Sequence, residues 1–400
     1  MPRAPFRPGR TLAGAAASSA AVAVLLVGGC SGEGDPTGTI SAPVLSASSS
    51  SSTSAATSPT TTLKPTTTPS PAPTTSPTSS AATATIATNL DVPWGLAFLP
   101  DGSALVTLRD RGRLIQVRAG AAATVLGEVP GVRPDGEGGL LGVAVSPDFA
   151  SDQSIFVYFT AADDNRVVRL TFADGAATRP TVVLRGIPKA GHHNGGRLAF
   201  GPDGYLYVTT GDAGKSDQSQ DKRALGGKIL RITRDGKPAP GNPFGSSPVW
   251  SYGHRNVQGI AWAPDGRMFA SEFGQNRWDE LNLIQPGRNY GWPVVEGRAG
   301  RSGYTDPLVQ WPTSDASPSG IAVADGSVWM TALRGESLWR IPLTSNGVGT
   351  PERLLKGRYG RLRDAVLGPD GRLWVLTSNT FRGSPAADDD RVVALALDDL

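Results

Sequence analysis

From Ile86 to the C-terminus the apolar residues come in short runs rich in β-branched side chains, each cut off by Gly, Pro, Asp or Asn. Runs of that length bounded by turn residues predict strands, and no stretch between them keeps a helical period. Aligning the runs on their turns exposes a repeat. Gly95-Leu96-Ala97-Phe98-Leu99-Pro100-Asp101-Gly102 followed by Ala104-Leu105-Val106-Thr107 reads as strand, tight turn, strand. The same unit recurs at Leu141–Asp148 with Ile155–Phe159, Leu198–Gly204 with Leu206–Thr210, and Gly259–Gly266 with Met268–Ser271. It returns at Gly320–Gly326 with Val328–Thr331 and at Ala365–Gly371 with Leu373–Thr377, which makes six. In Pro-Asp-Gly, Pro sets φ, Asp accepts a backbone hydrogen bond and Gly takes positive φ, which closes a hairpin.

A third strand follows each hairpin, at Arg113–Val117, Val167–Phe172, Lys228–Ile232, Leu281–Ile284, Leu338–Leu343 and Arg391–Leu397. Repeats spaced by roughly 45–62 residues fit propeller blades, whereas a β-sandwich would not repeat one motif six times. The fold class expected is all-β, a six-bladed β-propeller of four-stranded antiparallel blades over residues 83–400. The extra strand at Thr83–Thr88 is expected to complete the last blade and close the ring.

Composition separates this domain from what precedes it. Arg3, Arg7 and Arg10 lead into an apolar, Ala-rich run from Leu12 to Val27, the pattern of a signal peptide over residues 1–29. The run ends Leu25-Leu26-Val27-Gly28-Gly29-Cys30, which resembles the lipobox of bacterial lipoproteins and makes Cys30 the expected lipidation site. Cys30 is the only cysteine, so no internal disulfide can form. Residues 30–82 are Ser, Thr, Pro and Ala, too poor in apolar surface to offset their ordering entropy, and read as a disordered linker. The expected location is extracytoplasmic, anchored by lipid to the bacterial membrane. A formal charge of +3 with scattered Arg gives no basic stripe for nucleic acid. No exposed apolar stripe is evident, and a monomer is expected.

Function in a propeller lives on the loops at one end of the channel. Four loops carry unusual polar density. Gly191-His192-His193-Asn194-Gly195-Gly196-Arg197 holds two of the chain's three histidines; side chains of adjacent residues diverge, so the two do not form a metal pair. Asp212, in Thr210-Gly211-Asp212-Ala213-Gly214, is either a turn residue or the carboxylate that orients an imidazole. Arg255 and Asn256, in Gly253-His254-Arg255-Asn256-Val257-Gln258-Gly259, can donate to a developing oxyanion; the alternative is an Arg255 paired with a structural carboxylate. The loop from Ser271 to Asn282, with Gly287–Pro293, places paired carboxylates beside turn-forming backbone, which suits Ca²⁺. Arg334, Arg361 and Arg363 bracket strands of the last two repeats and point to an anionic ligand with several carboxylates, which Arg binds bidentately.

Taken in order, His193-x-x-Gly196-Arg197-Leu198 with Gly211-Asp212, Gly253-His254-Arg255-Asn256-x-Gln258-Gly259, and Asp279-Glu280-Leu281-Asn282 with Asn289-Tyr290-Gly291-Trp292-Pro293 resemble the soluble quinoprotein glucose dehydrogenase and aldose sugar dehydrogenase family. Pro93-Trp94-Gly95 through Gly102 resembles its opening, and the likeness runs from about Leu90 to the C-terminus. The resemblance implies a dehydrogenase using pyrroloquinoline quinone (PQQ) and Ca²⁺ to oxidise aldoses at C1 to the lactone. It makes His193 the base for the C1 hydroxyl, Asp212 its orienting carboxylate, and Arg255 and Asn256 the contacts to the quinone oxygens. Arg361 and Arg363 match arginines that hold PQQ carboxylates, and Arg334 stands where the family often has Lys. The carbonyls of Gly274 and Gln275 match the ligands of the Ca²⁺ that binds PQQ, Gln275 standing where relatives often carry Pro. Glu280 with the Tyr290 carbonyl resembles a separate structural Ca²⁺ site. A glutamine expected against PQQ falls in the loop of Gln218 and Gln220, with Gln218 preferred.

Short substrate-side loops favour an open pocket and broad aldose acceptance; the electron acceptor stays unassigned. Two other readings use the same scaffold. A non-catalytic propeller that binds glycans or a partner protein would not bind PQQ. A Ca²⁺-dependent lactonase would need channel-facing carboxylates where this chain offers arginines and a histidine.

Overall fold

Strand residues whose side chains are buried on both faces need no polar alternation, and that is what the repeats show. Ala104–Leu108 and Ser327–Ala332 are buried along their whole length. Successive side chains leave to opposite sides: Leu105 joins an apolar cluster with Leu140 and Phe159, while Val106 joins another with Trp374 and Leu376. Each cluster fills the wedge between two neighbouring sheets, so the core is a ring of six interfaces.

The computed structural model describes residues 82–400 except residue 174. The signal peptide, Cys30 and the linker up to residue 81 lie outside the described residues. Among those described, six antiparallel sheets of four or five strands follow in chain order, each a blade of the six-bladed β-propeller. The inner strands are Pro93–Phe98, Leu140–Val145, Leu198–Phe200, Val257–Trp262, Pro318–Ala324 and Leu362–Leu367. Ala84–Ala87 pairs with Val392–Leu395 and supplies the last blade's fourth strand, so the two ends of the domain close the ring.

Inner strands must converge on the axis, and glycine permits it. A Cβ at Gly142 would lie 2.2 Å from the Gly196 carbonyl of the next blade, and one at Gly320 only 1.9 Å from Asp364 Oδ1. The Pro-Asp-Gly hairpins form as expected, with φ of 82° at Gly102 and 76° at Gly371. The second blade departs from the repeat. Its Pro147-Asp148 is followed by Phe149, not Gly, and the chain turns through one helical turn, Phe149–Asp152. The fourth, outer strands such as Val249–Tyr252 and Val309–Pro312 carry mixed polarity and gave no clear apolar run.

Candidate active site

The loops leading into the inner strands all rise at the end of the channel opposite the hairpins. There all six blades contribute to one cavity of about 350 Å³, lined among others by His193, Arg255, Asn256, Gly274, Arg334 and Arg363. His193 owes its place to backbone constraints on three sides. Its φ of 55° is left-handed, and Gly195 and Gly196 follow with φ of 63° and 105°. Its carbonyl accepts from Ala213 N at 3.1 Å, and a Cβ on Gly211 would fall 1.8 Å from that oxygen. Its own N–H donates to Glu137 Oε2 at 3.1 Å.

The imidazole is held by both nitrogens. Nδ1 lies 2.8 Å from Asp212 Oδ1, and Nε2 lies 2.8 Å from Arg255 Nη2. A guanidinium only donates, so Nε2 carries the lone pair and Nδ1 the proton, the neutral base tautomer. Asp212 is 2% exposed and also accepts from Gly214 N at 2.9 Å and from Trp292 Nε1 at 2.8 Å. Burial raises the Asp212 pKa, but the hydrogen bonds from His193, Gly214 and Trp292 outweigh it and hold the carboxyl below its ordinary value. His192 turns its ring at 88° to that of His193, and the two share no ligand direction.

Arg255 donates through Nε to Gln275 Oε1 at 2.9 Å and through Nη1 to the Phe273 carbonyl at 3.3 Å. Its backbone N–H is bonded to Glu272, whose other oxygen lies 2.8 Å from His254 Nδ1. His254 Nε2 meets Ser251 Oγ at 2.8 Å, but all three groups of that relay are buried and away from the cavity. Asn256 spends its carbonyl oxygen on Gly195 N at 3.0 Å. Facing this group across the cavity, Arg363 is 4% exposed, donates to Gln258 Oε1 at 2.7 Å, and leaves Nε buried without a partner. Arg361 likewise has an unpartnered buried Nε. Burial, with Arg109 and Arg361 nearby, pushes the Arg363 pKa down to about 9. An anion placed between these guanidiniums relieves that field.

The sequence-derived set therefore converges, with one exception in position. Gln218 does not line the cavity. Its side-chain amide donates to the Asp212 carbonyl at 2.5 Å, and Gln220 turns to the Trp292 carbonyl at 2.6 Å, so both brace the site from behind. Glu280 and Tyr290 border a separate small void beside Glu272, Glu296 and Trp292. Strand pairing sets Glu280 opposite Glu272, and burial together with that neighbour pushes the Glu280 pKa up to about 8. Among the described residues no three side chains of His, Cys, Asp or Glu converge as a metal cluster. A cation there would draw on backbone carbonyls as well, the donor mixture that suits Ca²⁺.

Several lining residues escaped the sequence reading, Arg109, Glu137, Phe381 and Arg382, and Gln258 was given no role there. A signal existed for two of them. Arg109 directly follows a second strand, the position next to Arg334 in the repeat, and Glu137 sits in a Gly-rich segment before an inner strand, as His193 does. The only acidic side chains of the lining are Glu137 and Asp279, against six arginines.

Residues 90–383 match the Glucose / Sorbosone dehydrogenase family. The chain belongs to that family. Glucose / sorbosone dehydrogenase relatives include an aldose sugar dehydrogenase of Escherichia coli (strain K12), 34% identical over 343 residues, 75% of this chain and 92% of that protein. Quinoprotein glucose dehydrogenase B of Acinetobacter calcoaceticus is 33% identical over 283 residues, 60% of this chain and 59% of that one. Among solved family structures, the PQQ-bound form of an aldose sugar dehydrogenase from Streptomyces coelicolor superposes with a TM-score of 0.76 at 56% identity, covering 78% of this chain and 96% of that chain.

Proposed function

We propose that this chain is a PQQ-dependent aldose dehydrogenase, loaded with Ca²⁺, that oxidises sugars at C1 to the lactone. The observation that carries the reading is the Asp212–His193 pair presenting a basic Nε2 to an arginine-walled cavity. PQQ, when bound, supplies a quinone that accepts hydride, and its carboxylates match the free donor capacity of Arg361, Arg363 and Arg334. His193 Nε2 takes the proton of the C1 hydroxyl once the substrate replaces Arg255 at that lone pair. Asp212 keeps the proton on Nδ1 and stabilises the imidazolium as it forms. Arg255, freed from His193, donates to oxygen that gains negative charge, and Asn256 has its amide N–H₂ left for the same task. The Gly274 and Gln275 carbonyls would hold the Ca²⁺ beside PQQ, and Glu280 with Tyr290 a second, structural Ca²⁺. Family membership at 34% identity with an aldose sugar dehydrogenase supports the substrate class.

Export and lipid anchoring through Cys30 belong to the same reading and support a monomer outside the membrane. The electron acceptor is unassigned. Adding PQQ and Ca²⁺ to the purified chain is expected to start dye-linked oxidation across several aldoses, and His193→Ala to abolish it while sparing PQQ binding. PQQ binding without turnover on any aldose would contradict the substrate class; no PQQ binding would contradict the enzyme.

A further inference from the structure

We propose that the buried ammonium of Lys228, which touches neither the cavity nor any carboxylate, is a positioning residue that sets the Asp212–His193 pair through the loop it gathers. The inference rests on the reading of His193 as the base.

Lys228 opens the third strand of the third blade and is fully buried. Its Nζ donates to three carbonyls of the loop that returns from Asp212: Gln218 at 2.7 Å, Ser219 at 3.1 Å and Gly226 at 2.6 Å. Three acceptors match the three protons of an ammonium. Among the described residues Asp221 is the acid whose charge acts on it, and no acid is bonded to Nζ; burial pushes the pKa down to about 7. An unpaired buried cation is costly, and a methionine would fill the same space without that cost. The stem alone therefore does not account for lysine, whereas gathering the loop does.

The loop so gathered reaches Asp212 by two arms. Gln218 Nε2 donates to the Asp212 carbonyl at 2.5 Å. Gln220 Nε2 donates to the Trp292 carbonyl at 2.6 Å, and the Trp292 indole N–H donates to Asp212 Oδ2 at 2.8 Å. The Ser219 carbonyl, besides receiving Lys228, accepts Gly253 N at 2.9 Å and so fixes the start of the segment that carries Arg255. The seat is tight: a Cβ on Gly226 would lie 2.5 Å from the Gln218 side chain, and one on Gly227 2.0 Å from Ser219 Oγ. Losing the ammonium leaves the Gly226 carbonyl without its donor and the Gln218 and Ser219 carbonyls with only the backbone N–H groups of Asp221 and Gly253, and both arms lose their base.

The test uses Lys228→Met in the full chain. Before loading, histidine-labelled protein is expected to show two downfield Nδ1 protons by NMR, since His193 and His254 each face a carboxylate. The variant should lose or broaden the His193 signal and keep that of His254. After loading, kcat should fall by about 10–100-fold with KM and PQQ affinity little changed, as a small misplacement of a base does. Added to Asp212→Asn, Lys228→Met should slow turnover no further. A folded variant with an intact His193 signal, an unchanged kcat, or losses that multiply with Asp212→Asn would overturn the proposal. If Lys228→Met does not fold, Gln218→Met with Gln220→Met cuts the arms and leaves the cage; the same three readouts then decide. Turnover that survives His193→Ala would instead remove the base and this inference with it.

Discussion

At the scale of single residues, position is set by backbone before chemistry enters. His193 stands in a left-handed conformation because Gly195, Gly196 and Gly211 let the chain pass where a Cβ could not. The order His193, Asp212, Arg255 was legible because each sits in a polar, Gly-rich segment beside a strand. Gln218 was misread because sequence cannot say on which side of a loop an amide turns. Asp212 offers a direct prediction. Its pKa is lowered in the fold, so its contribution to stability is whole above the ordinary aspartate range and is lost as pH falls below it. Asp212→Asn is expected to cut kcat by about 10³-fold or more, as loss of the orienting carboxylate does elsewhere. Melting curves of variant and parent should differ at neutral pH and converge in strong acid; a gap that persists at pH 2 would assign the difference to packing.

At the scale of elements, the hairpins were readable from Pro-Asp-Gly and the third strands from continuous apolar runs. The outer strands were not, because one face meets solvent and no turn signature marks them. The N-terminal strand Ala84–Ala87 closes the ring, and Ile86 packs between the last and first blades. Ile86→Ala should destabilise the domain by about 2–5 kcal/mol, lowering the midpoint of one cooperative transition. A separate early transition would mean that the closure is not coupled to the rest. The strand pair carrying Glu272 and Glu280 gives a metal prediction. Without a cation the Glu280 carboxyl is raised to about 8, so at pH 6 Ca²⁺ must displace a proton that is already gone at pH 9. The gain in Tm on adding Ca²⁺ should be larger at pH 9 than at pH 6, and equal gains would remove Glu280 from the site.

At the scale of the whole molecule, a polar septum across the channel ties the blades that the apolar wedges only press together. Asp364 accepts from Leu96 N at 3.0 Å and pairs with Arg197 Nη1 at 2.5 Å; Arg197 Nε donates to the Gln258 carbonyl at 2.8 Å. Arg363 then reaches Gln258 at 2.7 Å and Ser319 at 3.4 Å, so five of the six blades meet in one network. Removing the charge with Asp364→Asn should cost about 3–5 kcal/mol, since the buried Arg197 guanidinium loses its counter-charge. This network was not legible in the sequence: its members lie up to 268 residues apart, and only the closed ring brings them together. The same closure delivers His193, Arg255, Arg361 and Arg363 to one mouth, which is the claim on which the function depends. The most direct measurement mixes the PQQ- and Ca²⁺-loaded chain with an aldose, without an electron acceptor, and follows the quinone absorbance. Wild type should lose that absorbance within one turnover, and His193→Ala should bind PQQ equally well yet keep it. A wild-type absorbance untouched by every aldose, or a His193→Ala variant that loses it as fast, would contradict the account.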